Sequence, residues 1–140
     1  MADVIDISTR FKKPPPKPTV QELAQFCADE ILSHWEKFAS NNRLNDYFTS
    51  STPMYCKGGV NYLEDLNALS TIEQKIYLEP QIIAPGFNEK HVLGWVAAFR
   101  LNGVIVATPF MVNEGYARCF NVLLYLKLKR ELQTAGIPLT

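Results

Sequence analysis

The residues best suited to chemistry lie in one short loop, Cys56, Lys57, Gly58 and Gly59, and in one distant histidine, His91. An ammonium beside a thiol on pliable backbone can lower the thiol pKa and expose the sulfur. A histidine within reach could then act as its base. The same Lys-Gly-Gly could hold a phosphate on backbone N–H groups, although the Walker spacing is absent. These five residues define a candidate ligand loop, for a small molecule or nucleotide or for an enzyme reaction. No spacing brings Cys56 and His91 together, and a loop lysine beside a glycine hinge is the simpler reading.

Other groupings carry less. Cys27 and His34 would lie two helical turns apart on nearly one face, but structural zinc takes four such ligands, so no metal or cofactor is expected. Glu64 and Asp65 are adjacent and diverge by about 100° on a helix, which does not make an acid–base pair. Lys127 and Arg130 share a helix face while Lys129 points elsewhere, the pattern of a solvated helix end. Trp95, Phe99 and Phe110 could stack on bases. They sit among Leu and Val without interleaved cations, which suits a core better. No residue is assigned as catalytic.

The elements that must position these groups centre on residues 91–136. Asn102-Gly103 separates VLGWVAAFRL from VIVATPFMV. Both central residues of a type I′ turn need φ > 0, which Asn tolerates and Gly adopts freely, so a two-residue hairpin pairing Leu101 with Val104 is predicted. One hairpin face then carries Leu93, Trp95, Ala97, Phe99 and Leu101 against Val104, Val106, Thr108, Phe110 and Val112. The other carries Val92, Gly94, Val96, Ala98 and Arg100 against Ile105, Ala107, Pro109 and Met111. Both faces are largely apolar, so both call for cover by this chain or by another subunit. The small residues of the second face point to an oligomer contact through Gly94, Val96, Ala98, Ala107 and Met111.

Asn113 is a predicted N-cap for a long apolar helix ending at Gly136. Arg118 interrupts its apolar run, which is too short to span a bilayer, so no membrane segment is expected. Upstream, Thr19 and Glu22 form a predicted capping box. Val20, Leu23, Cys27, Ile31, Trp35 and Phe38 follow at helical spacing. Residues 43–59 read as loop with a short helical turn. Asn61 with Glu64 predicts a short helix through Leu63, Leu66 and Leu69. KIYLEPQII reads as a strand interrupted by Pro80, and Pro85-Gly86 as the turn after it. The fold class is therefore α+β: an antiparallel sheet of about three strands packed with an N-terminal and a C-terminal helix.

Residues 1–18 stand apart as a basic, proline-rich arm, and residues 19–140 as one domain. RFKKPPPKP cannot be helix or central strand. Val4, Ile5, Ile7, Arg10, Phe11, Lys12, Lys13, Pro15 and Lys17 are its candidate partner-binding residues, since an apolar-basic-proline order suits a docking peptide. The chain has 14 basic and 14 acidic residues and no net charge, so nucleic acid is not the favoured partner. Three cysteines with no close-spaced ligand set, and no signal-peptide pattern ahead of them, read as reduced thiols in a cytoplasmic protein.

Two resemblances add to this. The segment from Phe99 onward, with Asn102, Gly103, Val104, Ile105, Ala107 and Tyr116, resembles the strand–turn–strand–helix unit of the YegP-like domains, which implies no activity. The opening MADVIDISTRFKK resembles the starts of small bacteriophage accessory proteins, and implies a small non-structural protein acting by binding in an infected bacterial cytoplasm. The expected function is a non-enzymatic interaction protein, homo-oligomeric, with a protein partner docked through the arm. The alternatives are a small-ligand or nucleotide-binding domain or enzyme at residues 56–59 and His91, and single-stranded nucleic-acid binding.

Overall fold

A computed structural model describes residues 18–140. Thr19 caps the first helix, α1 (Val20–Ala39). Its hydroxyl accepts the Glu22 N–H at 3.1 Å while the Glu22 carboxylate accepts the Thr19 N–H at 2.8 Å. These bonds satisfy donors that a helix start would otherwise leave open. Two shorter helices follow, α2 (Leu44–Ser51) and α3 (Leu66–Ile76). Strands β1 (Ile82–Phe87), β2 (Leu93–Leu101) and β3 (Val104–Ala107) come next, and then α4 (Glu114–Thr134).

The strands form one antiparallel sheet with β2 in the middle. Asn102 and Gly103 take φ of 52° and 75°, and Leu101 pairs with Val104. The predicted turn and the register from Leu101–Val104 to Ala98–Ala107 are therefore the ones found, and the α+β class holds.

Helix α4 lies against β2, and α1 packs on α4 and reaches β3. Phe120, Val122, Leu124, Leu128 and Leu132 of α4 are wholly buried. Trp35 of α1 meets Phe120 with ring centres 5.4 Å apart, and Phe99 of β2 meets Tyr125 edge-on at 5.0 Å. A helix apolar on most sides is buried on most sides, and α4 is the axis about which the other elements pack.

Two expectations for the middle of the chain are corrected. Asn61 and Glu64 do not start α3. Asp65 caps it, accepting the Ala68 N–H at 3.0 Å, and the helix absorbs Lys75 and Ile76. The strand thus begins beyond Pro80, and it contains Pro85 and Gly86 where a turn is predicted. In β2 the odd-numbered residues bond toward β3: Ala97 O accepts the Thr108 N–H and Trp95 exchanges bonds with Met111. The even-numbered residues face β1, where Gly94, Val96 and Ala98 pair with Gly86, Ala84 and Ile82. Pro85 therefore points its missing donor out of the sheet, where none is needed.

Candidate functional site

The loop at residues 56–59 is tied down, and the recess beside it does not include His91. Thr52 donates its hydroxyl to Phe48 O at 2.8 Å, and the Thr52 hydroxyl oxygen lies 3.2 Å from Cys56 Sγ. Tyr62 Oη accepts the Lys57 N–H at 2.6 Å. The Asn45 amide holds Val60 O and the Tyr62 N–H, each at 2.9 Å. A recess of about 520 Å³ beside the loop is lined by Asn45, Thr49, Cys56, Lys57 and Asn61 among others. Burial pushes the half-buried Cys56 thiol up from its ordinary value, opposite to what a nucleophile needs. His91 sits in the turn between β1 and β2, with φ of 60° and its N–H on Asn88 O.

The cysteine and histidine of α1 are likewise structural. Cys27 is buried, and its thiol is pushed up to about 11, chiefly by desolvation. His34 donates from Nδ1 to Glu30 O at 2.9 Å and stacks on Tyr47. Among the described residues no three His, Cys, Asp or Glu side chains converge as a metal site. No helix among them is long and apolar enough to cross a membrane.

The second hairpin face is the feature that stands out, but its membership changes. Ala107 pairs with Ala98 and Met111 with Trp95, so three residues, Thr108 to Phe110, oppose two, Val96 and Ala97. This is a bulge. Pro109 has no N–H to give the ladder. At the same place the Thr108 hydroxyl, rather than a backbone carbonyl, accepts the Ala97 N–H at 3.1 Å.

The extra residue exchanges the faces of everything after it. Met111, expected on the second face, turns into the core. Phe110 and Val112, expected inside, turn out. Phe110 lies across Gly94 so closely that a Cβ there would stand 2.3 Å from its ring. Gly94 and Ala98 are buried, and Val96 and Ala107 remain accessible. The face that results runs from Ile82 and Ala84 through Val96 to Ile105, Ala107, Phe110 and Val112. Ile105 is 55% exposed and Val112 62%, and the exposed Arg100 stands opposite Ile105. Among the described residues, helices cover the sheet on the opposite side alone.

The aromatics weighed for base stacking divide between the two sides. Phe99 is fully buried, whereas Trp95 and Phe110 are partly so. The candidate arm residues Val4, Ile5, Ile7, Arg10, Phe11, Lys12, Lys13, Pro15 and Lys17 lie outside the described residues.

Sequence reasoning missed one charged cluster. Arg118 reaches from α4 to the buried Glu73 of α3 through two hydrogen bonds, Nε to Oε2 at 2.9 Å and Nη2 to Oε1. It also holds Glu114 at 2.9 Å. The i,i+4 spacing of Glu114 and Arg118 was a readable signal. The long-range partner was not.

Comparison with protein-family models, with curated proteins and with solved structures gives no match to this chain.

Proposed function

We propose that this chain is a non-enzymatic interaction protein whose open sheet face packs against a second copy of itself, while its arm engages a protein partner. The observation that carries the reading is the apolar face on which Ile82, Ile105 and Val112 are exposed and Val96 and Phe110 are partly accessible. An apolar patch on one side of a sheet costs free energy in water and marks an interaction surface. Its middle is built of Ala84, Ala98 and Ala107, which allow a second sheet to approach to the usual spacing of about 10 Å. The pairing would bury the two sheets between two outer layers of helices.

The arm's residues 10–17 carry Arg10, Lys12, Lys13 and Lys17 among prolines, a composition suited to an acidic, aromatic-lined partner surface. The likeness of the opening to bacteriophage accessory proteins supplies the setting, an infected bacterial cytoplasm. The testing experiment is the solution mass of the native chain and of Ile105→Arg. A native dimer made monomeric by the variant supports the reading. The same mass for both defeats it.

The recess at Cys56 favours a second reading, a small polar ligand held between Asn45 and Lys57. Under it, nucleotides or metabolites raise the melting temperature and Lys57→Ala abolishes the rise.

A further inference from the structure

Helices α1, α2 and α4 meet around a recess of about 330 Å³. Its floor is apolar, made by Ile31 of α1 and by Leu123 and Leu126 of α4. Its rim is not. Lys127 and Arg130 share one face of α4 and both line the recess, and Tyr47, Ser50 and Ser51 enter it from α2. No carboxylate is in the lining.

Several of these rim groups have donors to spare. The Arg130 guanidinium has no ion pair among the described residues, and neither the Ser51 nor the Tyr47 hydroxyl bonds to any of them. Lys127 is held by Glu30 of α1, but an ammonium has three N–H groups. A helix C-terminus normally presents bare carbonyls, which repel an anion. Here the last turn of α2 is covered. The Ser50 hydroxyl donates to Tyr47 O at 3.1 Å and the Thr52 hydroxyl to Phe48 O at 2.8 Å.

We propose that this recess binds a small organic anion, its apolar body on Ile31, Leu123 and Leu126 and its carboxylate or phosphate monoester at Arg130 and Lys127. The planar guanidinium fork fits either head group through two parallel hydrogen bonds. An apolar floor with a few charged groups at its mouth is how small-molecule sites combine affinity with orientation. Glu30 is the competitor, because its carboxylate already holds the Lys127 ammonium.

The site shares no lining residue with the recess beside Cys56 and takes none from the sheet. It therefore stands or falls apart from both the face contact and the ligand reading of that loop.

The test is an NMR titration of the full chain with phenyl phosphate, with benzoate and, as the neutral control, with benzyl alcohol, read at the Ser50, Ser51 and Leu126 amides. At least one of the two anions shifts these amides saturably, with an affinity that falls as salt rises. The tighter of the two identifies the head group. Arg130→Gln, at an exposed position, weakens binding about tenfold. Glu30→Gln releases Lys127 and tightens it, and both variants keep the circular dichroism spectrum of the native chain. No saturable shift with either anion up to about 10 mM overturns the proposal. So does a response to benzyl alcohol equal to that of the anions, or binding that Arg130→Gln leaves unchanged.

Discussion

The hydroxyl of Thr108 accepts the backbone N–H of Ala97 at 3.1 Å, standing in for a carbonyl at the point where Pro109 breaks the ladder. The extra residue of the bulge at this point shifts the register by one. Met111 enters the core as a result, and Phe110 and Val112 join the open face. Thr108→Val removes the acceptor and leaves a buried N–H without a partner. It costs about 1–3 kcal/mol in urea unfolding, whereas Thr108→Ser keeps the oxygen and most of the stability.

Glu73 and Arg118 are both largely buried, at 7% and 13% side-chain exposure. Breaking the pair strands a charge in the interior. Glu73→Ala lowers unfolding free energy by about 3–5 kcal/mol. The double variant Glu73→Met, Arg118→Met recovers most of that loss, because an apolar pair of similar size strands no charge in the interior, and Glu114, which also loses Arg118, is one-third exposed to water. A double variant as unstable as the single would refute this account of the α3–α4 contact.

Gly115 lets the first turn of α4 approach the loop before α3, since a Cβ there would stand 1.8 Å from Leu63 O. Backbone cannot move aside as a flexible side chain can. Gly115→Ala therefore destabilises by about 1–3 kcal/mol, despite the better helix propensity of alanine. A stabilised variant would show that the loop yields freely.

The thiols give an order of reactivity and a pH dependence. Cys56 is half-buried and Cys27 and Cys119 are buried, so a thiol reagent labels Cys56 first and the other two on unfolding. Burial raises the Cys27 thiol to about 11 and lifts the Cys119 thiol well above its ordinary value. Each raised thiol contributes stability that is fully present below the unfolded pKa and lost as pH rises toward the folded one. Unfolding free energy therefore falls from about pH 9 to 11, and Cys27→Ala reduces the slope. Rapid labelling of Cys27 in the folded protein would contradict this.

The readable parts of the chain were those set by local chemistry. The capping box at Thr19, the Asn113 cap and the Asn102-Gly103 turn each depend on residues within three or four positions, and each is found as expected. Strand register near the turn followed directly. It failed beyond Thr108, because nothing in a period-two pattern marks an inserted residue; Pro109 signalled only a disturbance. The same limit applies to β1. Pro85-Gly86 reads locally as a turn, and its place in a strand depends on which edge faces outward.

Of the candidate site, the apolar character of the second hairpin face was legible and its membership was not. Val96 and Ala107 keep their place. Met111 leaves, while Ile82, Phe110 and Val112 enter through pairings distant in sequence. The loop at Cys56 drew attention by composition, yet its backbone and side chains are bound to Thr52, Asn45 and Tyr62. Glu73 could not be matched to Arg118 by any spacing, since 45 residues separate them.

The most direct test of the central claim is sedimentation equilibrium of the native chain and of Ile105→Arg, whose side chain is half exposed on the open face. If that face is the interface, the native chain has twice the mass of one copy, and the variant sediments as a monomer with an unchanged circular dichroism spectrum. A native chain that is monomeric at high concentration, or a variant that remains dimeric, would contradict it.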